Sequence, residues 1–358
     1  MIHRDDKMTP RERAKALAQG KEIDRYPISM FYYSPSHRLL GLSVRESNKN
    51  ARVRADIQKK LYETFGIDSV TAKYGLHGMG IAFGAEMTEP ENNIPAILVN
   101  PLTDIRDLSR LDLSIATIEK DPNAKLCYEM AQMLLEEIGD EVGTAFGATG
   151  PFTSASALLG VENLMIALRK YPEQVHKLME FTTTATQQLV RPFLEMDMPI
   201  SVSEPMASGT LIKKKYYDEF ILQYEKRLVD YCKSIRPFKV TIHICGDTVE
   251  LLESMAASGY DTISLDNVVD IAEAKRRVGD QVHLLGNVEP VEVLYSGTPE
   301  DVKKAVRVCF KNGWDSPKGY TIGTGCDTPL NTAFENSFAY MEEARKCAKY
   351  PLDPDNFN

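Results

Sequence analysis

Cysteine is scarce: six residues, at 127, 232, 245, 309, 326 and 347, in a chain of 358. That density is too low for a disulfide framework. Reduced thiols in a cytoplasm fit better and leave some free to bind a metal. Positive charge is not in excess either. Lys plus Arg total 42 against 51 Asp plus Glu, a formal net charge of −9. An acidic chain gains little from a phosphate backbone, so no nucleic-acid partner is expected. There is no run of about 18 apolar residues, so no membrane-spanning helix is expected. The opening MIHRDDKMTPRERAK is charged and lacks the apolar stretch of a signal peptide. Repeats, low-complexity stretches and Gly/Ser linkers are absent, and nothing marks a boundary. The expectation is a single domain over 1–358 with its core at about 27–349. With 43% hydrophobic and 26% charged residues the chain reads as globular, which excludes disorder and coiled coil.

Eight short β-branched or apolar runs stand out, at 27–32, 67–73, 142–148, 199–203, 239–245, 261–266, 281–286 and 319–323. Helical patterns separate most of them, at 50–65, 123–139, 172–194, 213–234, 247–258, 270–278 and 299–311. A last one, at 331–348, closes the chain. An additional helix is expected at 9–19, with Thr9 as N-cap and Pro10 in the first turn. Alternating β and α implies a parallel sheet. Eight units predict an α/β fold of the (β/α)8 TIM-barrel class with an N-terminal helical extension, for which about 250 residues are typical. The surplus is the first helix, a hairpin near 87–99 and helix after Pro151. The rival is an open doubly wound sheet, which carries a Gly-rich phosphate turn after its first strand. GLHGMG (75–80) lacks the required spacing.

The chemistry concentrates at strand ends. His243 and Cys245 stand at i and i+2 of one strand and so share a face. Gly246 ends that strand, at the end where barrel enzymes keep their sites. Cys326, in GTGCD, follows the last strand and in a closed barrel converges on the same mouth. One imidazole and two thiols suit Zn²⁺ with a fourth position open, the pattern of a catalytic zinc. The alternative stays open at this point: a lone Cys is most often a small buried hydrophobe, and a strand-end His a hydrogen-bonding residue. Asp266, Glu204 and Asp327 also stand at strand ends as a fourth ligand or substrate-positioning acid. Asp266 is preferred because its strand follows that of His243; a helix cap or loop contact is the plainer role for each. Asn287 ends the seventh strand, where a turn-making role competes. Tyr74 and His77 follow the second strand and are candidates to line a pocket.

These residues resemble the uroporphyrinogen decarboxylase superfamily, and within it the zinc-dependent corrinoid methyltransferases, over about residues 8–349. MTPRERAKALAQGKEIDRYPI, GATGPFTSASALLG (147–160), HICGD (243–247), the stretch 263–290 and GTGCDTPLNTAFENSFAYMEEAR carry the likeness. The resemblance implies a (β/α)8 barrel, zinc on His243, Cys245 and Cys326, and Asp266 as the displaceable fourth ligand. It also implies a cobalamin cofactor. No Asp-x-His-x-x-Gly corrinoid motif occurs, so the cobalamin is expected on a separate corrinoid protein docking at the barrel mouth. Glu204 is a candidate catalytic acid, and Asn287, Tyr74 and His77 are candidates to contact the cofactor. The other partner is a small methyl donor or acceptor; a homo-oligomer is left open.

The decarboxylase branch binds porphyrinogen carboxylates through an Arg-bearing segment, but the corresponding stretch here is FYYSPSHR (31–38), without the paired arginines. Where that branch holds pyrrole N–H groups with an aspartate, TAKYGL (71–76) has no acid. Its Gly-His-Gly turn is Gly325-Cys326-Asp327 here. A cofactor-free decarboxylase is therefore the first alternative, and a non-catalytic metal-binding barrel the second. Thr324–Thr328 departs from the coenzyme M pattern around the last Cys. This points to another methylated substrate and favours transfer from substrate to corrinoid.

Overall fold

The computed structural model describes residues 5–357. Its strands are β1 (Ser69–Lys73), β2 (Glu86–Met87), β3 (Ile97–Val99), β4 (Gly143–Thr149), β5 (Ile200–Ser203), β6 (Thr241–His243), β7 (Thr262–Ser264), β8 (His283–Leu285) and β9 (Tyr320–Thr321). Seven form one sheet in the order β1-β4-β5-β6-β7-β8-β9, and β2 and β3 form the expected antiparallel hairpin. β4–β5, β5–β6 and β8–β9 run parallel. Strands joined in chain order through helices are the α/β pattern of a (β/α)8 barrel. Seven of the eight expected strands are present.

The chain falls into two compact units, one made of Thr71–Gln132 and Ala145–Ile263, the other of the rest. In the latter, the stretch expected as a strand at 27–32 makes only a parallel bridge, Ile28 to Ile322. Side chains explain this. Ile28 N donates to Asp68 Oδ2 (2.8 Å), Phe31 N to Thr324 Oγ1 (3.0 Å) and Tyr33 N to Asp327 Oδ1 (2.8 Å), so these donors do not enter a ladder. Asp68 also receives Arg13 and Arg25, and Arg25 pairs with Asp6 at 2.8 Å. Arg13 extends from the helix Pro10–Ala18, is fully buried, and bonds Asp24 at 2.7 Å. Thr9 caps that helix in a reciprocal capping box with Glu12. The extension is thus anchored by buried ion pairs.

In the other unit Phe146 of β4 stacks on Phe193 of the long helix Pro172–Glu195, ring centroids 3.7 Å apart. The single helix expected at 213–234 is two, Lys214–Phe220 and Leu222–Ile235, broken at Ile221 (φ −122°, ψ −54°). The apolar period runs through Ile221 without interruption, so the sequence carries no sign of the break. The pattern at 247–258 likewise begins as a short 3₁₀ turn, Val249–Leu251, before the helix Leu252–Ala257. Among the described residues no single helix is long and apolar enough to cross a membrane.

Candidate metal centre

β6 ends at His243. His243 is buried and Cys245 partly exposed, and His243 Nε2 stands 3.2 Å from Cys245 Sγ. The strand expected over 239–245 is thus shorter, and Cys245 lies past its end; there Gly246 takes φ +79°, a left-handed conformation that favours glycine. A Cβ there would also lie 2.7 Å from Ser208 Oγ and 2.8 Å from Thr210 Oγ1. Ser208 and Thr210 shape this turn, and nothing in the sequence singled them out.

Glu204 follows β5, and its N–H donates to the His243 carbonyl (2.9 Å). Its carboxyl is fully buried and spent on the start of the helix Pro151–Leu159. Oε2 accepts Phe152 N–H at 3.1 Å and Oε1 accepts Thr153 N–H at 2.5 Å. Burial pushes this carboxyl up to about 7. Gly150 makes the approach feasible, since a Cβ there would fall 1.9 Å from Glu204 Oε2. The GPFT segment, Glu204 and His243 are therefore one hydrogen-bonded assembly. Glu204 sits where a helix cap sits, the plainer of the roles expected for it.

Tyr74 and His77 follow β1. Tyr74 is buried and donates its hydroxyl to Asp121 Oδ2 at 2.5 Å, while Asp121 Oδ1 accepts Asn123 N and Ala124 N at the start of Pro122–Ile138. Its hydroxyl is committed to packing rather than to a pocket. Gly78 lets the ring lie flat against the next turn, where a Cβ would meet Tyr74 at 2.4 Å. Gly80 packs against the Ala157 carbonyl at 2.8 Å by the same measure. Gly78 and Gly80 of GLHGMG thus serve close packing, while Gly75 takes φ +85° with open space around it. His77 precedes the helix Gly78–Ala82, and burial lowers its pKa.

In the other unit Asp266 follows β7 and is buried; its Oδ1 accepts Val268 N at 3.2 Å. Asn287, after β8, donates from Nδ2 to the carbonyls of Asp266 (2.9 Å) and Val269 (2.6 Å). It thereby holds the loop that carries Asp266. Cys326 is partly exposed. Its carbonyl accepts Thr324 Oγ1 (2.9 Å), and the preceding Gly325 N donates to Val288 O (2.7 Å). Asp327 accepts Tyr33 N and the Ser34 hydroxyl (2.6 Å), a loop-fastening role.

Among the described residues one group of His, Cys, Asp and Glu could hold a metal ion: His243, Cys245 and Cys326, with ligand atoms all within 4.8 Å of one another. Tetrahedral zinc with bonds of about 2.1 Å to nitrogen and 2.3 Å to sulfur needs ligand atoms about 3.5–3.8 Å apart. The spacing fits after shifts of up to about 1 Å, and one nitrogen with two sulfurs is a donor set for Zn²⁺. Asp266 and Glu204 are not in this group.

The uroporphyrinogen decarboxylase (URO-D) family model matches residues 9–347. A methylcobamide:CoM methyltransferase of Methanosarcina barkeri is 25% identical over 92% of this chain and 95% of its own length. A methylated-thiol–coenzyme M methyltransferase of Methanosarcina mazei is 25% identical over 96% and 90%. A uroporphyrinogen decarboxylase of Prochlorococcus marinus is 27% identical over 92% and 96%. Identity therefore does not separate the two activities. A solved methyltransferase structure from Methanosarcina mazei superposes with a TM-score of 0.82 at 21% identity, covering 94% of this chain and 98% of that one. The fold is shared along the whole chain, and the chain belongs to the uroporphyrinogen decarboxylase family.

Proposed function

We propose that this chain is a zinc-dependent methyltransferase. It moves a methyl group between a small methylated substrate or thiol and the cobalamin of a separate corrinoid protein, in the substrate-to-corrinoid direction. The observation that carries the reading is the grouping of one imidazole and two thiols, His243, Cys245 and Cys326. It stands in a chain whose relatives include methylcobamide:CoM and methylated-thiol–coenzyme M methyltransferases. Bound there, zinc would act as a Lewis acid toward a sulfur or other heteroatom of the substrate.

The chain's own residues divide the work. His243, Cys245 and Cys326 hold the ion, and two thiolates offset its charge. Asp266 is the proposed exchangeable fourth ligand, with Asn287 fixing its loop. Glu204 acts indirectly, by locking the end of β6 to the helix at Pro151–Leu159. Tyr74, through Asp121, and His77 shape the wall after β1. We further propose that the chain works as one cytoplasmic domain. The decarboxylase reading is disfavoured by the absence of paired arginines in 31–38 and of an acid in 71–76.

Metal analysis of the purified protein tests the reading. One zinc per chain is expected, lost in Cys245→Ser and in Cys326→Ser. Methyl transfer to a reduced corrinoid protein should vanish with the metal. Metal-free conversion of uroporphyrinogen, or transfer unchanged in both variants, would overturn it.

A further inference from the structure

Within Thr71–Gln132 and Ala145–Ile263 lies a second buried acid that the proposed chemistry does not use. Glu225, on the helix Leu222–Ile235, is fully buried. Its Oε2 accepts the Tyr217 hydroxyl at 2.5 Å and the Ser258 hydroxyl at 3.1 Å, and its Oε1 is buried with no hydrogen-bond partner. Tyr217 belongs to Lys214–Phe220, on the far side of the break at Ile221. The Tyr217–Glu225 hydrogen bond therefore spans the break, and Ser258 ties in the end of Leu252–Ala257.

No cation faces this carboxyl among the groups that act on it. Tyr217 and Ser258 reach it by hydrogen bond; Glu204 and the buried, unpartnered Tyr260 phenol act on it or feel it through charge. Several titratable groups on neighbouring elements are engaged elsewhere. His176 Nδ1, on the long helix Pro172–Glu195, meets Tyr224 at 3.0 Å, and Glu180 pairs with Arg227 at 2.5 Å. Asp218 takes Lys214 Nζ and Ser254 Oγ, each at 2.6 Å. Burial, reinforced by the charge of Glu204, pushes Glu225 up to about 8.

We propose that the Tyr217–Glu225 contact is a proton-gated clasp: with its proton, Glu225 holds the two helices together across Ile221, and loss of that proton to solvent opens them to water. A carboxylate here keeps the Tyr217 and Ser258 hydrogen bonds, but among the described residues no cation is seen to act on it and a second acid lies near, so the two hydroxyls offset only part of the cost of burying its charge and hydration must supply the rest. Ile221 is buried, and its N–H donates to Tyr217 O while its carbonyl accepts Glu225 N–H, so opening at the break parts these two bonds along with the clasp.

Hydrogen exchange of the full chain between pH 5.5 and 8.5, corrected for the intrinsic rate, tests this. Opening over 214–235 should rise by up to about tenfold per pH unit and level off above about pH 8. Glu225→Gln should remove the slope. Should that variant fail to fold, Tyr217→Phe keeps the acid, and is expected to open more at every pH with the slope retained. A native chain whose corrected exchange over 214–235 is independent of pH, or a Glu225→Gln chain with the native slope, overturns the clasp.

Discussion

Gly150→Ala is the sharpest test of the assembly that supports β6. The backbone at Gly150 (φ −68°, ψ 162°) suits alanine, so the perturbation is steric alone. The added carbon would fall 1.9 Å from Glu204 Oε2 and 2.4 Å from its Cδ. Glu204 has no exposed surface, so its carboxyl cannot swing into water. It must yield the N–H groups of Phe152 and Thr153, and two buried donors lose their partner. At about 1–3 kcal/mol for each unsatisfied group, the expected loss is about 3–5 kcal/mol. Urea denaturation at pH 7 measures it, with the Glu204→Ala and double variants completing a cycle. Once Glu204 is truncated the clash disappears, so Gly150→Ala should cost under about 1 kcal/mol in that background, a strong non-additivity. A Gly150→Ala loss below about 1 kcal/mol in the native background, or simple additivity, would refute the argument that Glu204 is a brace.

Two further outcomes are expected. Asn287→Ala removes two hydrogen bonds that hold the Asp266 loop and should cost about 1–3 kcal/mol in denaturation midpoint. If Asp266 is the exchangeable ligand, zinc affinity should weaken too, while the metal bound to His243, Cys245 and Cys326 remains detectable. The stability of the native chain should decline with pH. Native Glu225 is raised from 4.5 to about 8, so the folded state holds that proton more tightly than the unfolded chain. Its contribution is full below about pH 4.5, is lost as pH rises toward about 8 and is flat above. At about 1.4 kcal/mol per unit the loss is roughly 4–5 kcal/mol, and Glu225→Gln should be free of it. Denaturation curves at pH 5, 6.5 and 8 read the difference between the two chains directly.

Much of the scaffold was legible because its signals are local. Thr9-Pro10 and Asn50 mark helix starts that the structure keeps, and seven β-rich runs became β1 and β4–β9. The run at 27–32 did not, because Asp68 and Thr324 claim the N–H groups of Ile28 and Phe31, and those partners lie about 40 and nearly 300 residues away. The break at Ile221 was hidden for a different reason: the apolar pattern is continuous through it, and the Tyr217–Glu225 pair that spans it is only eight residues apart.

The residue types alone determined which side chains could bind a soft metal ion, since one imidazole and two thiols are its donors whatever surrounds them; β6 ends at His243, so strand alternation does not place Cys245, and the fold does. They determined the alternation of strands and helices as well. Only the folded chain decided which acids serve which role. Glu204 and Asp266 look equivalent as strand-end carboxylates. Yet Glu204 is consumed by two backbone N–H groups at a helix start, whereas Asp266 is held on a loop fastened by Asn287. The reason is physical. A carboxylate's function follows from what satisfies its oxygens, and those partners come from segments distant in sequence that only folding brings near.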